Sequence, residues 1–246
     1  MAKAKCTYVP PQNGYPEWNN NPEIFQLNRL PAHATFASYD TLEEALAGDR
    51  KASGFDSSLN GKWKFSFATN TDNRTANFYE MDFDCSDWNE IEVPGHWQLQ
   101  GYDYPQYTNV RYPWIDSEAL KPPFAPTKYN PVGSYAREFE VPDRWRGQPV
   151  FISFQGVESA LYVWLNAELV GYSEDSFTPA EFDLTPYLVE GPNKLAVEVY
   201  RWCDGSWLED QDFWRMSGIF RDVYLYTAPG IRIGDFFVRT ELDDRN

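Results

Sequence analysis

Trp63-Lys64-Phe65-Ser66-Phe67 sets a large ring at every second position with a polar residue between, the period of a strand that buries one face. The runs downstream share its β-branched and aromatic bias: Val150-Phe-Ile-Ser-Phe154, Leu161-Tyr-Val-Trp-Leu165, Leu195-Ala-Val-Glu-Val-Tyr200 and Val223-Tyr-Leu-Tyr226. Turn signals part them, at Pro94-Gly95, Asn130-Pro131, Asn166-Ala167 and Gly191-Pro192-Asn193. No helix-length 3.6-residue pattern lies between the strands, which argues against βαβ units and a parallel sheet. The pattern predicts an all-β fold, two antiparallel sheets closed as a jelly-roll β-sandwich.

Upstream of about Ser57 the period is lost. Glu17 to His33 mixes Pro, Asn and isolated large apolar residues, as an extended arm would, and Trp18, Phe25 and Leu27 need a partner surface to bury them. One short helix is expected in the arm. Thr41 caps it, Glu44 completes a capping box, Leu42, Ala45 and Leu46 form an apolar face, and Gly48 ends it. Beyond the Ala228-Pro229-Gly230 break, Ile231-Arg-Ile-Gly-Asp-Phe-Phe-Val-Arg-Thr240 reads as one more strand. It is either the opening strand of a further domain or a last edge strand of the same sandwich.

The 246 residues carry 37 acidic and 21 basic side chains, a net charge of −16, which disfavours nucleic acid and anionic membranes as partners. No stretch approaches the ~20 apolar residues that span a bilayer. Met1 to Pro10 lacks the apolar run of a secretory signal, so the expected location is cytoplasmic. Cys6, Cys85 and Cys203, odd in number and far apart, fit a reducing compartment and neither a disulfide framework nor a zinc site. Asn73-Arg-Thr75 matches a glycosylation sequon, which in an unsecreted chain is only a polar loop.

Catalytic signatures are missing: there is no GxSxG elbow, phosphate loop, GxGxxG or HExxH. The two histidines, His33 and His96, read as structural. Two strand-poor segments stand out, Gly95 to Trp114 and Arg201 to Arg221, each mixing indole and phenol rings with carboxylates and amides. Loops of that length commonly act in function. A pyranose offers an apolar C–H face to an aromatic ring and paired hydroxyls to a carboxylate or carboxamide, and such a carboxylate can also ligate a cation. Packing with a solvated rim is the plain alternative. Glu209, Asp210 and Asp212 lie too close in sequence to flank a glycosidic bond as a catalytic pair, which needs carboxyls ~5–9.5 Å apart on opposite sides of it.

Five ordered stretches carry a resemblance: Phe25-Gln-Leu-Asn-Arg-Leu-Pro-Ala-His33, Ser58-Leu-Asn-Gly-Lys-Trp63, Val93-Pro-Gly-His-Trp-Gln98, Tyr107-Thr-Asn-Val-Arg-Tyr-Pro113 and Leu208-Glu-Asp-Gln-Asp-Phe-Trp-Arg-Met-Ser-Gly-Ile-Phe-Arg-Asp-Val223. From about Trp18 to the end the chain resembles the amino-terminal part of the long bacterial β-galactosidases of glycoside hydrolase family 2. The Leu-Asn-Gly-Lys-Trp element is shared with β-glucuronidases and other members of the family.

The resemblance implies an arm over residues 1–56, a jelly-roll sugar-binding domain over 57–228, and at 229–246 the first strand of a truncated immunoglobulin-like domain. It implies a retaining enzyme that hydrolyses terminal β-D-galactosides such as lactose. The catalytic residues and most magnesium ligands would lie in a barrel outside this chain, leaving the chain alone inactive. The full-length protein would be a homo-oligomer. By motif position Asn109 resembles a galactose-contacting asparagine, and Asp212 an aspartate that binds galactose and helps ligate sodium. Asn21, Glu174 and Asp204 match ligands of a second cation, with Glu174 standing where glutamine is expected. The loop Trp114-Ile-Asp-Ser-Glu-Ala-Leu-Lys121 is longer than the family's. A free-standing carbohydrate-binding module and an interaction fragment that complements a truncated enzyme are the alternative readings.

Overall fold

In the computed structural model, which describes residues 18–243, the strand Gly61–Ala68 turns Trp63 and Phe65 into the interior, each 1 % exposed. Residues 1–17 and 244–246, Cys6 among them, lie outside the described residues. The strand belongs to a seven-stranded antiparallel sheet ordered Gln26–Leu27, Glu168–Ser173, Ala160–Leu165, Asn193–Tyr200, Val132–Phe139, Gly61–Ala68, Asn89–Val93. A second antiparallel sheet is ordered Ala180–Asp183, Val150–Phe154, Val223–Thr227, Asp56–Ser58. Trp63, Phe65, Val163 and Val197 from the first sheet meet Ile152 and Leu225 from the second in one buried cluster. The alternation therefore builds an antiparallel β-sandwich.

The larger sheet is covered on its other face as well. Tyr162, Trp164, Ala196 and Tyr200 form a second buried cluster there with Phe78 and Cys203. Leu27 and Trp18 of the arm pack over it, Trp18 stacked on Tyr162 with ring centroids 5.6 Å apart. Burial on both faces explains why Leu161–Leu165 reads as an unbroken apolar run. Phe25, expected to be buried with them, is 55 % exposed.

The sheet edge at Asn89–Val93 is closed by a side chain. The Gln100 carboxamide accepts from the Glu92 N–H at 2.8 Å and donates to the Glu92 carbonyl at 3.0 Å, standing in for a neighbouring strand. In the arm, Thr41 Oγ1 accepts from the Glu44 N–H at 3.2 Å and Gly48 ends the helix Leu42–Ala47 at φ +68°, as the caps predict. Glu44, however, accepts from the Asp40 N–H, so the reciprocal half of the capping box closes one residue early. The helix buries none of its residues, and Leu42 and Leu46 face solvent.

Residues 231–243 form no strand, neither alone nor on either sheet, and Ile231, Ile233, Phe237 and Val238 are exposed. Asp235 ties this stretch back to the arm by accepting from the Ala34 N–H at 2.9 Å. Cys85 and Cys203 are free thiols. Among the described residues no helix is long and apolar enough to cross a membrane.

Candidate functional site

The two aromatic-and-acid segments come together. Gln106–Thr108 and Phe213–Arg215 pair as a two-stranded antiparallel ribbon in which Thr108 faces Phe213, Tyr107 faces Trp214 and Gln106 faces Arg215. Further back, the Trp97 N–H donates to the Ser217 carbonyl at 2.9 Å and the Gly95 N–H to that of Ile219 at 2.8 Å. Gly218 allows this approach. It sits at φ +118°, where a Cβ would come within 2.9 Å of the Gly95 carbonyl oxygen.

Antiparallel pairing puts the residue after Thr108 and the residue before Phe213 at one end of the ribbon. These are Asn109 and Asp212, and both are exposed. The Tyr107 hydroxyl donates to Asp212 Oδ1, and the Tyr107 ring lies 5.7 Å from that of Trp214. Asp210 and Asp212 both adopt left-handed backbone, at φ +58° and +53°.

The inner side of the ribbon is a buried polar layer. Arg215 donates to Thr108 Oγ1 at 3.0 Å and to the Glu209 carbonyl at 3.1 Å, with Asp210 Oδ2 at 3.8 Å. The carboxyls of Asp210 and Glu158 hydrogen-bond each other. Burial, then the Asp210 charge, pushes Glu158 well above the usual carboxylate range, and burial raises Asp210 too. Glu209 accepts from the Ser176 N–H at 2.8 Å and hydroxyl at 2.9 Å. Of the three neighbouring acids Asp212 is exposed, whereas Glu209 and Asp210 are half-buried.

Behind the ribbon, Arg201 pairs with Asp103, both side chains fully buried. Tyr129 and Gln98 also donate to Asp103, and Gln98 bonds Ser217 in turn. The Arg201 guanidinium lies over the rings of Tyr104 and Trp202, at 5.1 and 4.7 Å. This network joins one loop to the other. Asp103, Glu158, Arg201 and Arg215 were not singled out in the sequence, although three of them lie inside the two segments. The signal for Glu158 was a carboxylate set between two strongly apolar runs.

Asn21, Glu174 and Asp204 also meet. The Asn21 N–H and the Glu174 carboxyl both bond the Asp204 carboxylate, and Tyr172 donates to Glu174 Oε1 at 2.5 Å. Burial, reinforced by Asp204, pushes Glu174 up to about 8. Asp204 Oδ1 is buried without a hydrogen-bond partner. The Asn21 side-chain oxygen accepts from the Glu23 N–H at 3.2 Å. Among the described residues no three His, Cys, Asp or Glu side chains gather to hold a metal ion.

His33 hydrogen-bonds Glu181 at 2.7 Å and joins the arm to the smaller sheet. His96 stacks on Phe220 at 5.1 Å, and burial lowers its pKa. In the long loop, Trp114 is buried against Trp202 and Trp207, and Glu118 accepts from the N–H groups of Thr127 and Lys128. A cleft of about 360 Å³ lies between arm and smaller sheet, lined by His33, Arg50, Glu181, Tyr224 and Tyr226. Asn109 and Asp212 do not line it; they stand on an open face.

Residues 57–229 match the family model described as "Glycosyl hydrolases family 2, sugar binding domain". The chain belongs to this family. The family 2 sugar-binding domain and its arm are 67 % identical over 240 residues to a β-galactosidase of Priestia megaterium, covering 98 % of this chain and 23 % of the relative. A β-galactosidase of Halalkalibacterium halodurans is 58 % identical over 226 residues, 92 % of this chain and 22 % of the relative. The chain thus spans about a quarter of the length of these curated relatives. Bacteroides uniformis β-glucuronidase 2 shares the fold at a TM-score of 0.54 and 24 % identity, over 71 % of this chain and 18 % of that one.

Proposed function

We propose that this chain is the amino-terminal sugar-binding portion of a retaining β-galactosidase acting on terminal β-D-galactosides such as lactose, with Asn109 and Asp212 contacting the galactosyl unit. The observation that carries the reading is the ribbon register, which sets a carboxamide and a carboxylate side by side on an open face. Such a face is one wall for a hexose; the catalytic carboxylates and the magnesium ligands are assigned to polypeptide outside these residues. Similarity to the Priestia megaterium β-galactosidase, 67 % identical over 98 % of this chain, supports that division.

Asp212 keeps one carboxylate oxygen clear of the Tyr107 hydroxyl, so it can meet a sugar hydroxyl and share in binding a sodium ion. A bound sodium would supply fixed positive charge beside the sugar oxygens. Asn21, Glu174 and Asp204 form the second cation site in this reading. Contacts at sugar hydroxyls raise the rate insofar as they strengthen in the oxocarbenium-like transition state. The assembled enzyme is read as a cytoplasmic homo-oligomer.

A chimera tests this directly: the 246 residues replace the matching region of the Priestia megaterium β-galactosidase. The chimera is expected to hydrolyse a nitrophenyl β-galactoside, and D212N to lower kcat/KM roughly 10²-fold through lost charged hydrogen bonds. The 246-residue chain alone is expected to be inactive. An active chimera indifferent to both D212N and N109A, or turnover by the isolated chain, would contradict the reading.

A further inference from the structure

Asp212 is an exposed side chain on left-handed backbone at the end of a three-residue strand, a place where a carboxylate ordinarily samples several rotamers. A ligand that needs one rotamer must then bear the cost of freezing it. The geometry supplies a device against that cost. Tyr107 is fixed by the ribbon register opposite Trp214, their rings tilted at 59° with centroids 5.7 Å apart, and its hydroxyl reaches diagonally to Asp212 Oδ1.

We propose that Tyr107 is a positioning residue for sugar recognition: its hydroxyl holds the Asp212 carboxylate in one orientation, so that the second oxygen meets a hexose hydroxyl without prior ordering. The inference rests on the reading of Asp212 as a galactose contact. A carboxylate has about four acceptor sites, so the phenol occupies one and leaves the others for the ligand. A phenol is already a protonated donor at neutral pH, and the bond to Asp212 pushes its pKa further up. Tyr107 is itself 51 % exposed, so its role is not that of a core residue.

The test uses the labelled 246-residue chain and two variants, Y107F and D212N. Three-bond couplings report the Asp212 χ1 distribution, and saturation transfer reports affinity for methyl β-D-galactoside. The expected result is a single Asp212 rotamer in the wild type, averaged rotamers in Y107F, and affinity weakened roughly two- to tenfold, the worth of one hydrogen bond. An Asp212 that stays locked in Y107F overturns the proposal. So does unchanged affinity in Y107F when D212N weakens binding. Unchanged affinity in D212N overturns the reading of the site itself and the proposal with it.

Discussion

Arg201 and Asp103 lie 98 residues apart in sequence and meet with no solvent at either side chain. Their pairing joins the loop that carries Asn109 to the loop that carries Asp212. Removing Arg201 leaves the buried Asp103 charge with only the neutral donors Tyr129 and Gln98, and breaking a buried ion pair in this way costs about 3–5 kcal/mol. Arg201→Met is therefore expected to lower the unfolding free energy by about that amount in urea; a loss below about 1 kcal/mol would show that the pair does not hold the loops. Residue types at this site were legible in the sequence, since aromatics, amides and acids cluster in both segments. Their division of labour was not. Nothing local separates Asp212, which faces solvent, from Glu209 and Asp210, which are bound by Ser176 and by Glu158 with Arg215.

At the scale of elements, what could be read depended on length. The eight-residue strand Gly61–Ala68 shows its period within itself. The strands of the ribbon have three residues each, too few for any period, and pair only because the sandwich brings their loops together. The helix Leu42–Ala47 was legible from its caps, which are local, whereas its packing depends on distant surfaces and left its apolar face in solvent. Gln100 gives the clearest element-scale prediction. Its carboxamide occupies both polar groups of Glu92 on an edge strand. Gln100→Ala is expected to leave the fold intact while promoting edge-to-edge association, visible as concentration-dependent dimers in size-exclusion chromatography. A strictly monomeric variant at high concentration would show that the edge is protected by other means.

For the whole molecule, the β-sandwich follows from alternation and turns, and its doubly covered sheet from the arm and the Phe78 to Trp88 stretch that lie over it. The sandwich is a scaffold that holds two long loops in register, and the loops present one open face instead of an enclosed pocket. That division agrees with a chain that spans about a quarter of its β-galactosidase relatives. The most direct measurement is a heteronuclear NMR titration of the 246-residue chain with methyl β-D-galactoside. The account predicts that the Asn109 side-chain amide and the Asp212 carboxyl shift together with a single dissociation constant. Shifts confined to the cleft between His33 and Tyr226, with Asn109 and Asp212 unmoved, would contradict it.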